Sequence, residues 1–244
     1  MDTETLKAEF LKQQRGFQIA NGLRVRELKA RTHEQWLHGL SGLFMVKEPA
    51  GSLFHDAAEL QKVLVKDDVA FCFIGGVALQ KWGEVRQTTD VDLNIHCELG
   101  NEDQVRTVLQ KTLTYRDEEA RKVFSTNRVF FGRTSNGYDV DIFVGFTPYE
   151  KRMTERAVPQ DYGLETPLRI CSAEDLVITK TLAGRGQDWV DLERIIQRSG
   201  ETMDWSLVYE ELGPLLALYS EEDRLPRLQK MVADEYPDGP GCGA

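Results

Sequence analysis

The stretch that decides the fold reads FIGGVALQKWGEVRQTTDVDLNI and spans residues 73–95. Its apolar runs are separated by glycines and by a polar segment, which predicts a strand, a turn, a helix and a second strand. The predicted elements are a strand over 69–74, a Gly75-Gly76 turn, a helix over 76–82 and a strand over 90–96. Alternate residues of a strand point to one face, so Asp90 and Asp92 project together while the apolar residues beside them face the other way.

The paired aspartates at the start of this second strand predict a cation site. Two neighbouring carboxylates on an apolar strand are costly unless a cation lies between them. Mg²⁺ is typical of such sites, with phosphate oxygens and water as its other ligands. The alternative is a strand edge with two solvated carboxylates. The upstream glycines, the intervening Arg86 and a second aspartate-bearing strand downstream favour the metal site.

That downstream strand, predicted over 138–144, offers a third carboxylate. Ser135-Asn136-Gly137 predicts a hairpin turn that joins it to a strand over 128–133. Asp139 and Asp141 share one face of the later strand. Asp141 lies deeper among apolar neighbours and needs a partner more urgently, so we favour it as the third ligand. Asp139 is expected to support the turn or to lie behind the site. Asp90, Asp92 and Asp141 would then hold two Mg²⁺ ions roughly 3.5–4 Å apart.

The glycine turn and Arg86 are candidate phosphate contacts. Gly75 and Gly76 let the backbone approach a ligand, and the helix that follows offers free N–H groups to phosphate oxygens. A tight turn needs the same residues, so the glycines alone do not decide between the two uses. Arg86 either binds a phosphate or pairs with Asp90.

The predicted helix that begins after Ser172 carries a second set of charged candidates. Lys180 is four residues after Leu176 and therefore lies on or beside the buried face. Its ammonium group either extends to solvent or points into a charged cleft. Asp188 is explained simply as the N-cap of the next helix, with Arg185 as its ion-pair partner.

The composition predicts an ordinary globular protein. The 244 residues are 41% hydrophobic and 29% charged, and the formal net charge of −10 argues against a broadly basic nucleic-acid binder. The four cysteines form no C-x-x-C pair, which gives no sign of a zinc site or disulfide framework and favours a reducing compartment. The N-terminus does not resemble a signal peptide, and no apolar run is long enough to span a bilayer. We therefore expect a cytoplasmic protein without a membrane partner.

The chain is expected to have an α+β fold, with a mixed sheet flanked by helices in its middle part. Capping and turn signals predict the order of the parts. The predicted parts are a helical N-terminal extension (1–50), a core with the sheet (51–165), a helical C-terminal part (166–236) and a flexible tail (237–244).

The segment from Ile74 to Leu93 resembles the signature of the polymerase-β-like nucleotidyltransferase superfamily. That signature is a strand, a glycine turn and D-x-D on the next strand, with a third aspartate on a later strand. The residues from Ala173 to Asp191 resemble the downstream signature of its bacterial AbiEii/AbiGii toxin-type branch. The resemblance covers about residues 69–198 and implies a nucleotidyltransferase-fold sheet with helices beside it.

The resemblance also implies a reaction and roles for particular residues. The reaction is Mg²⁺-dependent transfer of a nucleoside monophosphate from an NTP to an acceptor. By motif position, Gly75 and Gly76 would line the triphosphate, Lys180 would contact the nucleotide and Asp188 would lie near the cleft. The metal ligands would be the three aspartates already named. The chain departs from the pattern at Gly76, where many relatives have serine, so a hydroxyl contact to phosphate would be lost.

Several functions fit these signals. The leading hypothesis is a nucleotidyltransferase whose acceptor is tRNA, a protein or a small molecule, acting as the toxin of a toxin–antitoxin pair with an antitoxin partner. The alternative is a nucleotide-sensing or partner-binding module on the same fold, which the missing serine favours. A nuclease ranks lowest because no lysine or histidine accompanies the carboxylates.

Overall fold

The computed structural model describes Ala8, Glu9, Lys12 and residues 52–85 and 88–240. Most of the predicted N-terminal extension, Arg86 and the last four residues of the predicted tail lie outside the described residues. The fold below is that of the described part of the chain.

A mixed seven-stranded sheet has the order β3-β4-β5-β2-β1-β7-β6. Its strands are β1 (Ala70–Phe73), β2 (Asp90–His96), β3 (Thr114–Tyr115), β4 (Val129–Arg133), β5 (Asp139–Gly145), β6 (Val158–Gln160) and β7 (Leu168–Ile170). β2 runs antiparallel to β1 and parallel to β5, while β4 and β5 form the antiparallel hairpin that the Ser135-Asn136-Gly137 turn predicted. The expected α+β class with a mixed sheet is confirmed.

The helices lie against this sheet and after it. They are α1 (Leu53–Lys66), α2 (Gly75–Trp82), α3 (Glu102–Leu109), α4 (Glu118–Asn127), α5 (Pro148–Glu155), α6 (Ala173–Ala183), α7 (Gly186–Ser199), α8 (Trp205–Tyr219) and α9 (Arg224–Glu235), with a 3-10 turn at Gly200–Thr202. α2 packs on β2, α5 on β1 and β2, and α6 on α7 and α8. No helix in the described ranges is long and apolar enough to cross a membrane.

The predicted strand–turn–helix–strand unit is present as β1, α2 and β2. The core is built from the alternate residues of its strands, because each strand turns its apolar side chains to one face. Val91, Leu93 and Ile95 of β2 are fully buried, as are Val140 and Ile142 of the neighbouring β5. The opposite face of the same two strands carries the aspartates.

Two segments contain more structure than the sequence pattern indicates. The sequence pattern predicts no helix or strand over residues 145–171, but α5, β6 and β7 lie there. α5 has readable start signals, since Thr147 and Glu150 form a capping box around Pro148 at the first helical position. β6 and β7 are three residues each, too short for alternation to reveal, and they exist because they pair with each other and with β1.

The helical spacing of Val105, Val108, Leu109 and Leu113 predicts a helix over 101–113, but α3 ends at Leu109. The chain then forms β3, which pairs with β4, and α4, which begins after Asp117. β7 joins the sheet beyond residue 165, where the helical C-terminal part was predicted to begin, and the helices themselves begin at Ala173. Tertiary pairing rather than local pattern decides these boundaries.

Candidate active site

Three aspartates from two neighbouring strands converge on one face of the sheet. Asp90, Asp92 and Asp141 each offer a carboxylate oxygen, and these oxygens lie within 4.8 Å of one another. Asp141 has no exposed surface, Asp92 is buried and Asp90 is half-buried. Such a set of carboxylates suits a hard cation such as Mg²⁺, so these side chains fit the ion that the sequence analysis expected.

The strand pairing explains this convergence. β2 and β5 run parallel, with Asp90 opposite Asp139 and Asp92 opposite Asp141. Paired residues of adjacent strands project to the same face, which brings the four carboxylates together. Asp139 is engaged differently from the others, because Nε of Arg133 donates a hydrogen bond of 2.9 Å to its Oδ1. Asp139 is not a member of the group of three carboxylates, and its role stays a prediction.

Gly75 allows the Asp92 carboxylate to sit over the start of α2. Its φ is +57°, and a Cβ at this position would lie 2.0 Å from Oδ2 of Asp92. Both the backbone conformation and the space therefore require glycine. Ile74, which directly precedes Gly75, also ties this turn to β2, because its N–H donates to the carbonyl of Asp92 at 2.9 Å. The turn and the D-x-D strand are thus one packed unit.

Gly76 is in contact with a hydroxyl from the approach to β2. A Cβ on Gly76 would lie 2.2 Å from Oγ1 of Thr88. That hydroxyl donates to the carbonyl of Asp90 at 3.1 Å. The space that a serine at position 76 would need is therefore already filled by Thr88. Nearby, the N-cap of α2 is Ile74, whose apolar side chain makes no hydrogen bond to the first turn of the helix.

Arg116 is the site residue that the sequence analysis missed. Its guanidinium group donates to the Asp141 carboxylate, and its Nε lies 3.4 Å from Oδ1 of Asp139. The side chain is 4% exposed. Only the pairing of β3 with β4 brings residue 116 beside β5, so no local motif around it indicates this role.

Lys180 and Asp188 meet each other in a buried ion-pair network between α6 and α7. The ammonium group of Lys180 donates to Asp191 at 2.6 Å and to Asp188 at 3.3 Å. All three side chains are buried. Arg185 also binds Asp188 through its side chain, at 2.6 Å from Nε. Of the two orientations that the sequence allows for Lys180, its ammonium group adopts the one that faces charged neighbours rather than solvent.

The prediction that Asp188 caps the following helix is wrong. α7 begins at Gly186, and Arg185 occupies the N-cap position. Asp188 instead reaches back and accepts the backbone N–H of Arg185 at 3.1 Å. Burial alone would raise the pKa of Asp188, but the Arg185 hydrogen bond and the Lys180 charge outweigh it and hold that pKa below its usual value.

Comparison of the sequence with models of known protein families finds a match over most of the chain. Residues 60–235, well over half of the chain, match the family described as "Nucleotidyl transferase AbiEii toxin, Type IV TA system". The matched range includes both the aspartate strands and the Lys180 network. A search of curated proteins finds no match.

Several solved structures are similar to this chain at low sequence identity. A nucleotidyltransferase-like protein from Paracoccidioides brasiliensis is 17% identical over 75% of this chain and 87% of its own, with a TM-score of 0.42. A nucleotidyltransferase from H. pylori is 15% identical over 75% and 94%, with a TM-score of 0.38. The antibiotic-resistance factor ANT(2'')-Ia is 9% identical over 70% and 95%, with a TM-score of 0.43.

Proposed function

Because the chain belongs to the AbiEii nucleotidyltransferase toxin family, we propose that it transfers a nucleoside monophosphate from an NTP to an acceptor, with Mg²⁺ held by Asp90, Asp92 and Asp141. The observation that supports this is the convergence of the three carboxylates, whose oxygens lie within 4.8 Å of one another. Two ions at these ligands would lower the pKa of the attacking hydroxyl and neutralise charge on the triphosphate and departing pyrophosphate.

The protein's own part in this reaction is to bind and orient the reactants. Gly75 and Gly76 would bring the backbone of α2 close to the triphosphate, whose negative charge suits the N-terminus of that helix. Arg86, four residues before Asp90, would add a positive charge to phosphate binding. Positioning and electrostatics carry most of the catalysis in phosphoryl transfer, so a rigid corner at this place is what the reaction needs.

Lys180 and Asp188 would form the second part of the nucleotide site. Both side chains are already committed to each other and to their neighbours. We therefore propose that Lys180 contacts the nucleotide through a donor that remains after its two aspartate bonds, since an ammonium group has three. Asp188 would hold the lysine in place.

The acceptor is proposed to be tRNA, a protein or a small molecule, and the biological role that of a toxin controlled by an antitoxin in the bacterial cytoplasm. The family favours RNA or protein as the acceptor. The net charge of −10 disfavours a large RNA surface. A toxin role predicts that expression slows growth and that the Asp92→Asn variant does not; equal harm from both proteins would remove the toxin proposal.

The activity is tested by incubating the protein with Mg²⁺ and each labelled NTP in turn, together with tRNA, a cell extract or a set of small-molecule acceptors. We expect label to pass to one acceptor class, and Asp90→Asn to abolish the transfer. Asp139→Asn is the matched control, because Asp139 shares the strand face but is engaged by Arg133. No transfer by the wild-type protein with any NTP and acceptor would contradict the proposal.

A binding measurement distinguishes the alternative function, a nucleotide sensor, from a transferase. Gly76 favours it, because a serine hydroxyl expected at the phosphates is absent at that position. Calorimetry with NTP and Mg²⁺ would then show binding, while the transfer assay shows no turnover.

A further inference from the structure

We propose that Arg116 is a positioning residue that fixes the Asp141 carboxylate so that it faces Asp90 and Asp92. The inference rests on the proposed function for the identity of the reaction. Its central claim, that Arg116 prepares the site for a metal ion, concerns binding and is testable without turnover.

The backbone holds Arg116 at one place. Residue 116 follows β3, and its N–H donates to the carbonyl of Phe131 at 3.1 Å, which continues the β3–β4 pairing by one residue. Asp117, directly after it, caps α4 by accepting the N–H of Ala120 at 2.7 Å. Residue 116 is therefore fixed on both sides by hydrogen bonds.

The side chain is held as firmly as the backbone. Nε lies 3.3 Å from the carbonyl of Gly132, and the guanidinium carbon lies 5.4 Å from the centre of the Phe131 ring. The same group donates to Asp141 and approaches Asp139. Only 4% of the side chain is exposed. An arginine with so many contacts presents its planar donors in one orientation.

Asp141 depends on this arginine more than its neighbours do. It is the fully buried member of the cluster, and a buried carboxylate is unfavourable unless it is paired. Without Arg116, the Asp141 side chain would turn towards water. Held by Arg116, it keeps one orientation beside the other two aspartates. Partners that orient metal ligands in this way strongly affect metal affinity.

Metal binding to the protein without nucleotide tests the inference. We would titrate Mn²⁺, as a spectroscopically visible stand-in for Mg²⁺, into the wild-type protein, Arg116→Met and Arg116→Lys. We expect Arg116→Met to bind about 10- to 100-fold more weakly. Arg116→Lys should lie between, because lysine keeps the charge but lacks the planar donor fork. Raising the Mg²⁺ concentration should partly restore transfer by Arg116→Met, which a purely structural defect would not allow.

Arg133→Met is the matched control. Arg133 also binds Asp139, at 2.9 Å, but its side chain is 46% exposed. We expect its Mn²⁺ affinity to equal that of the wild-type protein. If Arg116 acted only through its charge, removing it would strengthen cation binding. Unchanged or tighter Mn²⁺ binding by Arg116→Met would therefore overturn the inference.

The outcomes also separate this inference from the proposed function. Circular dichroism checks that each variant folds, and Arg116→Lys replaces Arg116→Met if the latter does not. If the wild-type protein binds Mn²⁺ and Arg116 variants bind it weakly, but no transfer occurs, the proposed function fails and the inference stands. If transfer occurs and the variants bind Mn²⁺ normally, the inference alone fails. A wild-type protein that binds no Mn²⁺ overturns the inference, and the transfer assay then decides the proposed function separately.

Discussion

Two clusters of aspartates in the described part of this protein differ in how their charges are arranged. At the starts of β2 and β5, Asp90, Asp92 and Asp141 converge, and Arg116 donates to Asp141. Between α6 and α7, two aspartates meet a lysine and an arginine within hydrogen-bond distance. The members of this second cluster are Lys180, Arg185, Asp188 and Asp191.

The comparison shows that the neighbours of an aspartate decide whether it joins an ion-pair network or a cluster of carboxylates. Where cations and carboxylates match, the network satisfies itself and holds two helices together. Where three carboxylates converge, as at Asp90, Asp92 and Asp141, their oxygens suit a hard cation such as Mg²⁺. Substitutions in the first cluster should change chemistry with little loss of stability, whereas those in the second should lower stability in addition to any loss of nucleotide binding.

The largest effect is expected for Asp92→Asn. Removing one metal ligand should lower transfer by at least about 10³-fold, because metal ions supply several kcal/mol of charge stabilisation in the transition state. The free energy of unfolding should stay the same or rise, since repulsion among the carboxylates falls. Rate assays and urea unfolding of the same preparation check both parts. If Asp92→Asn were inactive because it is unfolded, the prediction that this cluster affects chemistry rather than stability would be wrong.

Lys180→Met should chiefly affect stability. The change leaves Asp188 and Asp191 buried with less compensation, and breaking a buried pair in this way costs about 3–5 kcal/mol. Urea unfolding followed by circular dichroism measures the loss. Lys62→Met is the control, because Lys62 forms an exposed pair with Glu59 and its removal should leave unfolding unchanged. A Lys180→Met variant of normal stability that no longer binds NTP would make Lys180 chiefly a nucleotide contact.

Gly76→Ser tests the corner between the glycine turn and β2. The new Cβ would lie 2.2 Å from Oγ1 of Thr88, and such overpacking costs about 1–3 kcal/mol. Thermal unfolding should show the loss, and adding Thr88→Ala should recover most of it by opening the space. If Gly76→Ser is as stable as the wild-type protein and binds NTP more tightly, the corner has room for the serine that many relatives carry.

The smallest effect concerns pH. The pKa of Asp188 is held below its usual value in the folded state, so its contribution to stability is present above the unfolded pKa of about 4. It is lost as the pH falls through the folded value. We therefore expect Asp188→Asn to flatten the acid-induced loss of unfolding free energy below about pH 4. If the free energy of unfolding of Asp188→Asn falls with decreasing pH as steeply as that of the wild-type protein, Asp188 does not contribute to this pH dependence.

The sequence predicted the aspartate-bearing strands β2 and β5 well because their signals are local. Glycines, a D-x-D pair and apolar alternation all lie within residues 73–95, and the Asn136-Gly137 turn marks the hairpin. Sequence reasoning failed where pairing partners decide the structure. β6 and β7 are too short to carry a pattern, and α4 has a largely polar sequence that its N-cap and packing stabilise.

The sequence by itself determined the α+β class, the aspartates on their strands and the family resemblance, because alternation and turn chemistry act over a few residues. Only the tertiary structure decided which charges meet. The parallel pairing of β2 with β5 brings Asp92 opposite Asp141, and the β3–β4 pairing delivers Arg116 to Asp141. The packing of α6 on α7 likewise brings the ammonium group of Lys180 to Asp188 and Asp191. Coulombic partners are chosen by distance in space, and that distance is set by sheet order rather than by position along the chain.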